Sequence, residues 1–368
     1  MKLNPIISKV LNGERISIDE ASELYRDADL PLLGQLATVV RNRKSNRDVI
    51  TYIIDRNINY TNFCVTDCSF CAFYVRPGSQ DGYVLSNQEL DRKIQETLDL
   101  GGCQILLQGG HNPSLKINFY EDMLRHIKEK FPSIWIHGFS ASEIWFISKV
   151  SKLSLGETLD RLVKAGLDSI PGAGAEILVE RVRKIIAPKK TTSDEWLELM
   201  RIAHQKGLRS TATMMFGHVE TVEERWEHLS QLRDLQDETH GFTAFITWTF
   251  QPDHTPMGGT KTSTVDYLKT LAVSRVFLDN FDHFQASWVT QGHKIGQVSL
   301  KYGVDDFGSL MIEENVVRAA GTVYYMSEQE MVRLIEGGGY RPVRRNMKYE
   351  SVGEPYFRLT RQYINCNA

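Results

Sequence analysis

Residues 52–74 read YIIDRNINYTNFCVTDCSFCAFY, a β-branched run followed at once by a loop holding three cysteines. The run over 52–60 predicts a strand, and the loop carries Cys64-x-x-x-Cys68-x-x-Cys71. Three thiolates on one short loop suit three irons of a cubane cluster and leave the fourth iron without a protein ligand. An open metal position is what a catalytic centre needs, because a cofactor or substrate can then coordinate there. A structural zinc wants four ligands, and a simple electron carrier completes four cysteines. Cys103 sits in an apolar run and Cys366 is the third residue from the end, so neither is an evident fourth ligand. A zinc-stabilised barrel and a non-catalytic iron–sulfur electron carrier stay open beside the catalytic reading.

Working outward, short apolar runs alternate with longer segments of helical period. CQILLQ (103–108), SIWIHGF (133–139), LDSIP (167–171), LRSTATMMF (208–216), FTAFITWTF (242–250) and HFQASWV (283–289) read as further strands, and GVDDFGSL (303–310) closes the set. Ser86, Ser154, Thr192, Thr221 and Ser327 each precede a Glu by three residues, the capping-box spacing that starts a helix. Strands alternating with capped helices imply βαβ units and a parallel sheet. Seven or eight such units favour a closed α/β barrel of the (β/α)8 TIM type over an open sheet. The expected organisation is a helical extension over 1–50, a barrel over 51–310 and an appendage over 311–368.

The chain has 368 residues, of which 42% are hydrophobic and 24% charged, so a large soluble core is affordable and a disordered chain is excluded. With 43 basic against 46 acidic residues there is no basic field for nucleic acid. No apolar run approaches the ~20 residues of a membrane span. The first residues, MKLNPIISKVLNGERIS, lack a signal-peptide core, and a cytoplasmic protein is expected.

Further motifs sit where an α/β barrel puts its strand ends: LLQGGHNPSL (106–115), Phe139-Ser-x-x-Glu143, Gly174-Ala-Glu176 and TATMMFGHVET (211–221). With NYTNFCVTDCSFCAFY (59–74) they resemble the radical S-adenosylmethionine superfamily, nearly over the whole chain. The V-T-D between the first two cysteines and Q-G-G-H-N-P bring the resemblance closer to the cyclases of the futalosine route to menaquinone. The sister aminodeoxyfutalosine and deazaflavin-forming synthases share the cysteine spacing.

That resemblance implies a 4Fe-4S cluster on Cys64, Cys68 and Cys71, S-adenosylmethionine as second cofactor, and a reductant such as flavodoxin or ferredoxin. It implies an oxidoreductase in which a 5′-deoxyadenosyl radical abstracts a ribose hydrogen from dehypoxanthine futalosine. Phe70, Gly109, Gly110, Ser140, Glu176, Arg183 and Met215 are the expected cofactor-binding residues. Arg181 is a weaker partner for the cofactor carboxylate. Gly110 is expected to admit the cofactor, so that a side chain there would block it and spare the cluster. Tyr60, His218 and Asp306 are candidates for the proton-accepting base, and Trp248, Gln251, Asp305 and Asp306 for reading the substrate. His126, His204 and His228, on predicted helices, are expected at the surface.

Overall fold

The computed structural model describes residues 3–353. Ten strands form one parallel sheet: β1 (Val49–Ile53), β2 (Asp55–Asn59), β3 (Gln104–Gln108), β4 (Trp135–Gly138), β5 (Ser169–Ile170), β6 (Arg209–Phe216), β7 (Phe242–Thr249), β8 (His283–Gln285), β9 (Asp306–Ser309) and β10 (Arg341–Arg344). Their order is β10-β1-β9-β8-β7-β6-β5-β4-β3-β2, and the sheet curls into a half-barrel where a closed barrel was expected.

The strand expected over 52–60 is two strands, with Ile54 between them. β1 pairs with β9 and β10, whereas β2 pairs with β3. The hydrogen bonds Leu310 N to Ile53 O (3.0 Å), Ile312 N to Asp55 O (3.1 Å) and Asn57 N to Glu313 O (3.2 Å) carry the chain after β9 along this same run. One bent stretch therefore has partners on both flanks.

Local sequence explains the surrounding helices. Ser86, Ser154, Thr192, Thr221 and Ser327 each accept the amide three residues on, satisfying an orphan donor at a helix start. In the amino-terminal part, Ile18–Asp27 packs on Val222–Thr239 and Leu30–Lys44 packs on Thr264–Phe277. Buried Arg41 donates to the carbonyls of Asn46, Arg47 and Val49, fixing the entry into β1.

Several elements differ from expectation. HFQASWV holds only three strand residues, and Trp288–Gln291 turns helical. The stretch after 310 adds β10 to the sheet and sends Arg345 and Met347 to the central cavity. His204 and His228 are buried, because their helix faces lie against the sheet. His204 bonds Thr239 and Ser210 (2.8 Å each), and His228 Nδ1 accepts the Leu178 amide at 3.0 Å. His126 is half-buried against Asp91.

Candidate active site

The cysteine loop leaves β2 and is pinned along its length. Cys64 N donates to Val75 O (2.9 Å), Val65 N to His111 O (3.2 Å) and Ser69 N to Ile186 O (2.9 Å). The Thr66 hydroxyl lies 3.0 Å from Cys64 Sγ and 3.4 Å from Cys68 Sγ. Cys64 Sγ also accepts the His111 amide at 3.3 Å. All three thiols line a cavity of about 390 Å³. Burial pushes the Cys68 thiol up to about 11 and raises Cys71 as well.

The cavity wall beside the thiols comes from successive strand ends, the rim on which α/β barrels carry their chemistry. Phe70, Gly109, Gly110, His111, Ser140, Glu143, Gly174, Glu176 and Lys190 all reach it. Ser140 caps the Ala141–Ser151 helix, donating its amide to Glu143 (2.7 Å) while its hydroxyl accepts the Glu143 amide. Glu176 adopts φ 43° and pairs with the partly buried Lys190 at 2.8 Å, and its Oε2 is buried without a partner. Lys190 also lies 5.3 Å from the Phe70 ring centroid. Burial opposes the Lys190 charge, but Glu176 and Cys68 outweigh it and hold the ammonium protonated.

Five expected site residues lie outside the cavity lining. Tyr60 is sealed among Phe119, Tyr120 and Phe139, and its hydroxyl donates to Glu143 at 2.8 Å. Burial raises its pKa further, which suits a donor rather than a base. His218 uses both ring nitrogens inside its own loop, accepting the Val219 amide (2.7 Å) and donating to Met215 O (3.0 Å). Asp306 is saturated by Arg345, Thr51 and the Gly308 amide. Arg183 donates to the carbonyls of Gly174, Ala175 and Thr191, so it braces the Glu176 loop from behind. Met215 is core, its amide bonded to Glu176 O at 2.9 Å.

Of the weaker candidates, Trp248 lines the cavity. Gln251 bonds its own loop through Thr249 and Phe250, and Asp305 is tied to His283. Arg181 is exposed on Glu224 at 2.5 Å. Cys103 is half-buried away from the cavity, and Cys366 lies outside the described residues.

Residues 58–232 match the model of the radical SAM superfamily, and residues 239–356 match the CofH/MqnC C-terminal region. The chain is 48% identical to a cyclic dehypoxanthine futalosine synthase of Halalkalibacterium halodurans, covering 96% of this chain and 95% of that one. The chain belongs to the radical SAM superfamily. A Streptomyces coelicolor protein with the same name is 47% identical, over 95% of this chain and 88% of that one. The aminodeoxyfutalosine synthase of Thermus thermophilus is 40% identical, over 95% and 96%. Among solved structures, methylornithine synthase has a TM-score of 0.72 at 18% identity, covering 92% of this chain and 97% of that one, a likeness of fold.

As a radical SAM enzyme the chain takes a 4Fe-4S cluster and S-adenosylmethionine. Its residues fit both. Among the described residues no three His, Cys, Asp or Glu side chains close around a single ion, as a zinc site would require. The three thiols line one cavity, where each could ligate a different iron of one cluster. The orphan Glu176 oxygen is an acceptor that a hydroxyl or ammonium could satisfy.

The sequence reading missed Lys190, His111 and the inward polar row of β2 and β3. Lys189-Lys190 reads as an ordinary solvated pair, and nothing local marks the second lysine as buried. Asp55, Asn57 and Asn59 did leave a signal: polar residues at period two inside a strand.

Proposed function

We propose that this radical SAM enzyme converts dehypoxanthine futalosine into its cyclic product in menaquinone biosynthesis. The observation that carries the reading is near-full-length identity of 48% and 47% to two synthases of that name, above the 40% to the aminodeoxyfutalosine enzyme. Cys64, Cys68 and Cys71 would hold the cluster; Phe70, Gly109, Gly110, Ser140, Glu176 and Lys190 would surround S-adenosylmethionine. When bound, these cofactors supply a 5′-deoxyadenosyl radical through one-electron reductive cleavage.

The protein's part is confinement. Strand ends and the cysteine loop line the cavity, and an enclosed site limits competing hydrogen donors. Trp248, Trp288, Ile246 and Val289 give it an apolar side for an aromatic ring. Asn57, Asn59, Gln104 and Gln108 give the opposite chemistry, suited to a hydroxyl-rich sugar. Holding the two reacting ends of one molecule in that space replaces an encounter by geometry. Electrons come from a flavodoxin or ferredoxin, and the enzyme works in the cytoplasm. No helix of the described residues is long and apolar enough to cross a membrane.

The test is anaerobic turnover of the reconstituted enzyme with dehypoxanthine futalosine deuterated at ribose carbon four. Cyclic product with deuterium in free 5′-deoxyadenosine is expected. An adenosyl group bonded into the product of an enolpyruvyl benzoate, with the first substrate untouched, overturns the reading in favour of the sister synthase.

A further inference from the structure

The interior of an α/β barrel is ordinarily filled by layers of branched apolar side chains. Here β2 and β3 send Asp55, Asn57, Asn59, Gln104 and Gln108 into the cavity instead. Asn57 Oδ1 and Gln104 Oε1 are buried there without any partner, and an orphan acceptor in a cavity awaits a ligand's donor. Asp55 lies beside them. One of its oxygens accepts the Ser309 hydroxyl, and the other accepts the Gln104 amide at 2.6 Å. Neither donor carries a charge.

We propose that Asp55 is the catalytic base that takes the proton lost from the aromatic ring as the cyclic product forms, an inference resting on the cyclase reading above. After intramolecular addition, the ring carbon bearing the new carbon–carbon bond still holds its hydrogen. That C–H bond breaks with its electron pair left in the ring, and the proton passes to an Asp55 oxygen. The ring is then an arene radical anion. Its one surplus electron leaves to a one-electron acceptor of the iron–sulfur class, and aromaticity is restored.

The other carboxylates of the cavity are committed elsewhere. Glu143 accepts the amides of Ser140 and Gly109 and the Tyr60 hydroxyl. Glu176 is ion-paired with Lys190, and Glu314 accepts the amides of Val316, Val317 and Arg318. Burial holds His111 and His137 down at about 3, too weakly basic to compete. Burial pushes Asp55 up to about 6 instead. Ser309, Gln104 and Arg345 oppose that rise, Asp306 adds to it, and the Cys103 thiol on the β3 side is the remaining titratable neighbour. A carboxylate of that strength is ionised at neutral pH and still takes a proton readily.

The experiment compares wild type, Asp55→Asn and Ser309→Ala holoenzymes on the ribose-deuterated substrate. Asp55→Asn is expected to keep deuterium transfer into 5′-deoxyadenosine while cyclic product forms at least ~100-fold more slowly, the low end for a lost general base. Product formation by wild type should fall as pH drops through about 6. Ser309→Ala removes a hydrogen bond to the ionised form and should move that limb upward. In cluster-free protein, a carboxyl infrared band should titrate near the same pH and be absent from Asp55→Asn. Wild-type cyclisation rates in Asp55→Asn, or an unmoved pH limb in Ser309→Ala, overturn the proposal. So does joint loss of deuterium transfer and product, which would make Asp55 a substrate-holding group. A wild type idle on this substrate overturns the cyclase reading, and the proposal with it.

Discussion

Glu143 accepts the main-chain amide of Gly109 at 2.8 Å, tying the Ala141–Ser151 helix to the turn after β3. The same buried carboxylate takes the Tyr60 hydroxyl and the Ser140 amide, so its donors counter the burial that raises its pKa. Glu143→Gln keeps the shape but turns an amide against one of those donors. The expected loss is about 1–3 kcal/mol of stability, the cost of a buried unmet donor. S-adenosylmethionine binding should weaken while iron content stays full. Equilibrium dialysis with iron analysis checks this; unchanged affinity would show that the turn is held without Glu143.

Gly110 answers to a different neighbour than its sequence context suggests. A Cβ there would stand 2.3 Å from the Phe63 carbonyl oxygen and 2.8 Å from Cys64 Cβ, so it points at the cysteine loop. The expectation that a side chain blocks the cofactor and spares the cluster is therefore corrected. Gly110→Ala should lower bound iron and sulfide together with S-adenosylmethionine affinity. A variant with a full cluster and lost affinity would restore the original expectation.

The cysteines themselves give the plainest measurement. Alanine at Cys64, Cys68 or Cys71 should abolish the reconstituted cluster's colour and iron, since each thiol faces the one cavity. Alanine at Cys103, which sits apart and half-buried, should leave both intact. Cluster retention in Cys68→Ala would remove that residue from the ligand set.

What the sequence told, it told through local rules. Ser86, Thr192 and Thr221 announced helix starts because a capping box is a contact over three residues. The cysteine loop was readable for the same reason. Direction at a strand end was not. Met215 follows Thr211 and Thr213 at period two, and both threonines line the cavity. At the Met215 level, however, it is Glu176, bonded to the Met215 amide, that reaches the space. Tyr60, His218 and Asp306 stand near the rim in sequence, yet each finds its partners in neighbours distant or folded back, which spacing does not encode. Lys190 was invisible because its burial depends on Glu176 and Phe70 arriving from other loops.

Asp306 shows what such a hidden partnership is worth. It and Arg345 form an ion pair with both side chains almost wholly buried, joining β9 to the residue after β10. Asp306→Ala would strand a guanidinium in the interior, and breaking a buried pair from one side costs roughly 3–5 kcal/mol. Urea unfolding should show that loss. Normal stability with lost turnover would return Asp306 to the list of candidate bases.

Asp55→Asn should do the reverse and stabilise the fold. The Asp55 carboxyl titrates near 6 when folded, chiefly because it is buried, against an ordinary value of 3.8. Between those two pH values the folded chain holds a proton that the unfolded chain has released. Stability therefore falls as pH rises through that window, and the loss persists above it. The full gap corresponds to about 3 kcal/mol, carried as the cost of an unpaired buried charge at neutral pH. Asparagine carries no such charge, so its melting temperature should exceed wild type at pH 7.5. The advantage should shrink as pH falls through about 6 and vanish near 3.8. A residue kept only for packing would give no pH-dependent difference. A variant less stable than wild type at neutral pH would mean that Ser309 and Gln104 need the carboxylate more than burial penalises it. A gain in stability together with the loss of cyclisation is the pattern expected when a fold retains a strained charge for its chemistry.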